Sequence, residues 1–160
     1  MREKILLGVL ILVVGLTTFG QQNWQKQIEK IKPLVTTEAE IEKILGKPVE
    51  RTDYLGRYET KDGRYRLIYS QGRCMSALMP KYNVEKGVLI ELSFKPKKKV
   101  KFESLGIDVS GWRTGTVSDV LPPPIIYYNP GKGIDYGVHE GILFRVHLYQ
   151  PIDLDYLKCP

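Results

Sequence analysis

The chain has 160 residues, of which 42% are hydrophobic, 26% charged and 10% aromatic; it is too apolar for a disordered chain and too charged for a multispanning membrane protein. Lys and Arg number 24 against 18 Asp and Glu, a formal net charge of +6. Two Cys exclude a four-cysteine zinc site, two His leave little for a multi-histidine metal centre, and the length suits one domain.

Met1-Arg2-Glu3-Lys4 is a short charged start, Ile5 to Leu16 is apolar apart from Gly8 and Gly15, and the small residues Thr18 and Gly20 precede Gln21. That order predicts a secretory signal over residues 1–20 and a single domain over 21–160, periplasmic or secreted in a bacterium. The alternative is an uncleaved anchor. Ile5 to Phe19 falls short of the roughly 20 residues that cross a bilayer, so no membrane span is expected in the mature chain. No Cys lies near the cut, which excludes lipid attachment there.

Outside the cytoplasm thiols oxidise, and Cys74 with Cys159 allows one intramolecular pairing. Free thiols, a redox pair or an intermolecular bridge are the alternatives. The wide spacing is unlike C-x-x-C and favours a structural disulfide, with about 4.5 kcal/mol as an upper-end chain-entropy value.

In chain order, Trp24, Ile28 and Ile31 make one face of a short helix that Pro33 stops. Thr37 as N-cap with Glu40 three residues on forms a capping box, Ile41, Ile44 and Leu45 supply the apolar stripe, and Gly46 with Pro48 ends the second helix. The period then changes to two. Tyr54–Thr60 and Arg64–Ser70 flank Lys61-Asp62-Gly63, a hairpin signal, with Tyr65, Leu67 and Tyr69 on one face and Arg64 and Arg66 on the other. In the strands Val88–Phe94 and Ile142–Leu148 the even-numbered residues are expected to share a core. Phe144→Ala should then cost about 3–5 kcal/mol, and His147→Ala on the wet face less than about 0.5.

Tyr82–Ile90 and Tyr136–Phe144 share Y-x-V-x-x-G-[VI]-L-[IF], which predicts a degenerate hairpin repeat. Between the copies, Lys95 to Pro124 reads as a long connection with a short element around Val100–Val109, and Pro122-Pro123-Pro124 leads rigidly into a strand at Ile125. Asn129 to Gly133 reads as a turn into Ile134–Val138. The predicted class is α+β: N-terminal helices on one face of an antiparallel β-sheet of about five to seven strands.

Thr36-Thr37, Ile41, Ile44-Leu45-Gly46 and Pro48, followed by a tyrosine-rich hairpin, resemble the start of small exported α/β modules of the BamE/SmpA outer-membrane assembly type and of the β-lactamase-inhibitor-protein type. The resemblance implies protein binding without catalysis. The layout ending Leu157-Lys158-Cys159 is also similar to small exported bacterial proteins of unassigned function.

No nucleophile elbow, zincin helix or phosphate loop occurs, and no motif asks for a cofactor. Asp153-Leu154-Asp155 lacks the further oxygens a calcium loop needs. His139 in a turn and His147 beside Arg145 have no evident nucleophile or orienting partner. Two surfaces remain as binding candidates. Lys95, Lys97, Lys98, Lys99 and Lys101 must be solvated, either as a loop guarding a sheet edge or as a contact for anionic envelope material. Tyr127, Tyr128 and Tyr149 could form an aromatic binding surface. The expected function is a non-catalytic extracytoplasmic binding or structural module acting through its sheet face or edge. The alternative is a small hydrolase around His139, His147 and nearby carboxylates. An envelope or extracellular protein, or an anionic polymer, is the expected partner, and nucleic acid is not.

Overall fold

The computed structural model describes residues 23–74, 82–117, 121–151 and 159; the expected signal segment and Asp153-Leu154-Asp155 lie outside them. Two helices come first, α1 (Asn23–Glu29) and α2 (Glu38–Leu45). The capping box forms as the sequence predicts. The Glu40 amide donates to the Thr37 hydroxyl, the Glu40 carboxylate accepts from the Thr37 amide, and Gly46 closes the helix at φ 87°.

Nine strands follow among the described residues: β1 (Glu50–Arg51), β2 (Leu55–Glu59), β3 (Gly63–Tyr69), β4 (Leu89–Pro96), β5 (Val100–Lys101), β6 (Arg113–Thr116), β7 (Ile125–Asn129), β8 (Ile134–His139) and β9 (Ile142–Leu148). They form one antiparallel sheet in the order β1-β2-β3-β4-β9-β8-β7-β6, and β5 also pairs with β9. The α+β class stands. The strand count exceeds the expected five to seven because β1 and β5 are two residues long and β6 reads Arg-Thr-Gly-Thr, without apolar alternation.

Trp24, Ile28, Ile41 and Leu45 pack on Tyr58, Tyr65, Leu67, Leu92, Phe94 and Val146, so the helices cover one face of the central strands. Trp24 and Tyr65 both meet the ring of Phe94, at centroid distances of 5.0 and 4.6 Å. Gly63 does not serve as the positive-φ residue of the hairpin turn. It begins β3, buried, and a Cβ there would collide with the edge of the Phe94 ring and the Lys95 carbonyl, so the residue is small because its side-chain space is occupied. Farther along the sheet the covering element changes. The 3-10 turn Phe102–Leu105 lays Phe102 parallel to Tyr127 at 5.1 Å, and Trp112 leans on Tyr136 at 5.8 Å.

The even-numbered rule fails at two places for one reason. Ile68 pairs with Glu91 while Tyr69 pairs with Leu89, so Ile90 is an extra residue in β4. Gly137 pairs with Arg145 while Val138 pairs with Leu143, so Phe144 is an extra residue in β9. Each bulge reverses the inside–outside alternation beyond it. Leu89 and Leu143 therefore enter the main core, Ile90 moves to a satellite cluster with Leu34, Ile68 and Tyr82, and Phe144 is half-buried over Gly137. The repeat is corrected accordingly. Its second copy is the β8–β9 hairpin, but its first is a loop running into β4, tied to Ser70 through the Gly87 amide. What the copies share is local: a positive-φ glycine (Gly87, Gly141), a core Leu and a bulged residue.

Cys74 and Cys159 are bonded, with Cα atoms 5.6 Å apart across 85 residues of sequence. No helix among the described residues is long and apolar enough to cross a membrane.

Candidate functional site

Because the helices cover one face, the polar residues alternating with Tyr58, Tyr65, Leu92, Phe94 and Val146 lie on the other. The registers carry that alternation across eight strands. Glu50, Arg57, Arg66, Ser93, His147, Asp135, Tyr128 and Arg113 are consecutive cross-strand partners, one from each of β1, β2, β3, β4, β9, β8, β7 and β6. In the neighbouring row, Glu59 faces Arg64, which faces Lys95.

His147 is the hub of this face. Its Nδ1 donates to Asp135 Oδ2 at 3.1 Å, and its Nε2 lies 3.6 Å from Glu91 Oε2 as an ion pair. Asp135 is buried, with a side chain only 5% exposed, and also accepts from Arg145 Nη2 at 3.3 Å. Burial of His147 works against its protonation, but Asp135 and Glu91 on the two ring nitrogens outweigh it and push the pKa up to about 9. The same contact, aided by the nearby Arg66, holds the Glu91 carboxyl below its ordinary range against the opposing effect of burial. His147 is thus a charged cross-strand tie joining β4, β8 and β9. It is not an indifferent wet-face residue, which corrects the expectation for His147→Ala. Among the described residues no group of His, Cys, Asp and Glu has a geometry that could hold a metal ion.

Beside the hub the face is cationic. Arg57 is neutralised by Glu50 at 2.6 Å, and Glu59 is taken by Lys97 at 2.8 Å, which lowers the Glu59 pKa through that contact. Arg64, Arg66 and Lys95 have no ion-pair partner among the described residues and are exposed. A depression of about 310 Å³ runs among Arg57, Arg64, Arg66, Ser93 and Lys95, and one of about 140 Å³ lies among Arg66, Glu91, Ser93, Arg145 and His147.

The lysine run takes an unforeseen place. Lys95 ends the exposed face of β4, Lys97 to Lys99 leave the ladder, and Lys101 rejoins it in β5, so β4 and β5 flank an excursion along the same partner β9. All five lysines are exposed. Lys95 belongs to an interior strand, since β4 lies between β3 and β9, whereas Lys101 belongs to β5, whose one strand partner among the described residues is β9.

The three candidate tyrosines do not share one surface. Tyr127 pairs with Tyr136 and stacks under Phe102 on the helix-covered side, whereas Tyr128 is on the outer row beside Asp135 and packs over Gly115. Tyr149 follows β9 and leans on His147 at 5.4 Å. Of the other tyrosines, Tyr58 and Tyr69 share a hydroxyl–hydroxyl bond of 3.0 Å in the core, and burial raises both pKa values. His139 stands apart from His147, donating from Nε2 to the Pro122 carbonyl at 2.9 Å.

The sequence alone pointed to Arg64, Arg66, Lys95 and His147 as wet-face residues but not to Asp135, Glu91 and Arg57 as their neighbours. Compared with protein-family models, curated proteins and solved structures, the chain matches none.

Proposed function

We propose that this chain is an exported, non-catalytic binding module that works through its outer sheet face. The observation that carries the reading is the polar row spanning eight strands on the face opposite the helices, in which charged side chains are held at fixed cross-strand positions on a disulfide-tied sheet. The Cys74–Cys159 bond favours an oxidising compartment, in keeping with the signal-like first 20 residues. The sequence resemblance to BamE/SmpA-type and inhibitor-type modules supports binding as the mode of action.

The second reading, a small hydrolase, draws on the recess where Glu91, Ser93 and His147 meet. A general base there needs a free imidazole lone pair at neutral pH. His147 instead carries a proton up to about pH 9, and carboxylates occupy both ring nitrogens, which favours a structural role over proton abstraction from Ser93.

The test places a photo-crosslinking amino acid at position 66, on the outer face, or at position 43, exposed on α2, and illuminates each protein with extracellular and envelope fractions. The proposal expects adducts from position 66 and none from position 43. Adducts from position 43 alone would put the working surface on the helices.

A further inference from the structure

We infer that the outer face of β2–β4 is a binding site for a linear acidic polymer, one carrying sulfate, carboxylate or phosphate groups on a non-aromatic backbone; this rests on the binding-module reading and names its ligand class. The argument begins with two cross-strand pairs that work against the fold. Arg57 lies directly opposite Arg66, and Arg64 directly opposite Lys95. Like charges facing each other across an antiparallel ladder are destabilising. Nearby carboxylates relieve the repulsion only in part: Glu50 holds Arg57, Glu59, although it faces Arg64 in register, holds Lys97, and Glu91, the carboxylate near Arg66, is paired with His147. Arg64, Arg66 and Lys95 are left as three exposed cations with no carboxylate within ion-pair distance among the described residues.

Their spacing follows from sheet geometry. Cross-strand neighbours on one face lie about 5 Å apart and residues i and i+2 about 7 Å apart. Arg66 and Arg64 are such an i, i+2 pair, Lys95 is the cross-strand neighbour of Arg64, and Ser93 that of Arg66. The result is a ladder of two guanidiniums, an ammonium and a hydroxyl around a depression of about 310 Å³, which Arg57 and the Lys97-paired Glu59 also line. Guanidinium forks take oxyanions bidentately, which a lone lysine cannot do.

Three features select an extended polymer over a single small anion. Arg64, Arg66 and Lys95 are set along β3 and β4 at ladder spacings, with Arg57 on β2 beside them. The depression is shallow and open. Beyond Lys95 the positive track continues into the exposed Lys98 and Lys99 of the excursion. Within β2, β3 and β4 the aromatic residues Tyr58, Tyr65, Tyr69 and Phe94 belong to the helix-covered core and are buried, so among the described residues of these strands no open ring face is offered on which bases could stack.

The test is binding of a fluorescent, short sulfated oligosaccharide by the full chain, followed by anisotropy across a salt series. Arg64→Gln/Arg66→Gln/Lys95→Gln should weaken binding by about 30–100-fold and flatten the slope of log K against log salt by about 2–3. Lys98→Gln/Lys99→Gln should weaken it only a few-fold. Arg64→Lys/Arg66→Lys should keep most of the salt slope while losing affinity, because charge survives and the bidentate fork does not. Urea unfolding of the triple variant should match or exceed the parent, since like-charge repulsion is relieved; this separates lost binding from lost folding. Undiminished affinity in the triple variant overturns the site. Tighter binding to phosphatidylglycerol vesicles than to the oligosaccharide, abolished by the Lys98/Lys99 changes, overturns it in favour of a lipid surface. Failure of the parent to bind the oligosaccharide, with cross-links from position 66 intact, overturns the polymer and leaves the binding-module reading standing; failure of both removes both.

Discussion

Replacing His147 with Gln removes the positive charge that, together with Arg145, faces the buried Asp135 carboxylate across β8 and β9. The folded-state pKa of about 9 lies above the ordinary 6.5, so the native state binds the proton more tightly than the unfolded chain. The associated stability is complete below about pH 6.5 and is lost as pH rises through about 9. At about 1.4 kcal/mol per tenfold change in proton affinity, the difference is about 3 kcal/mol. The His147 side chain is 25% exposed and its Glu91 partner 36%, so solvent screening brings the expected contribution to about 2–3 kcal/mol. The assay is urea unfolding of the disulfide-intact protein at pH 6 and pH 9.5, a window below ordinary tyrosine ionisation near pH 10. The parent should lose about 2–3 kcal/mol between the two conditions. His147→Gln should start lower by a similar amount at pH 6 and change little by pH 9.5. An equal pH dependence in parent and variant would refute the assignment of His147 as the charged tie.

Leu143→Ala should cost about 2–5 kcal/mol as a core cavity, and Phe144→Ala, in the bulge and half-buried, about 1–2 kcal/mol; denaturant unfolding of both decides whether the bulge is placed correctly. Gly63→Ala should lose about 1–3 kcal/mol, read as a lower melting temperature, because the new methyl meets the Phe94 ring and the adjacent backbone. Cys159→Ser should lower stability by about 2–4 kcal/mol and leave one titratable thiol in the folded protein.

The elements were legible in the sequence where several local signals agree. Thr37, Glu40, Gly46 and Pro48 define α2 by capping chemistry alone, and Lys61-Asp62 sits between strands of alternating Tyr and Arg. The failures share a physical origin. Ile90 and Phe144 are bulged, and a bulge depends on which partner strand lies alongside, a long-range fact that local alternation does not encode. Asp62-Gly63 carries a strong turn signal, whereas the small size of Gly63 answers to Phe94, some thirty residues away. The outer face was half visible. Arg64, Arg66, Lys95 and His147 were evident as wet-face residues, but the neighbours that distinguish a neutralised network around His147 from an unneutralised ladder at Arg64 and Lys95 come from strands far apart in the chain. The order β4-β9-β8 brings Glu91, His147 and Asp135 together, and no motif announces that order.

The claim that the outer face is the binding surface is tested most directly by following arginine Nε–H resonances while the sulfated oligosaccharide is titrated in. Arg64 and Arg66 should shift first and saturate together, while Arg51 and Arg73, each already paired with a glutamate elsewhere on the surface, should stay in place. Uniform shifts of all arginines, or shifts confined to Arg51 and Arg73, would contradict the account.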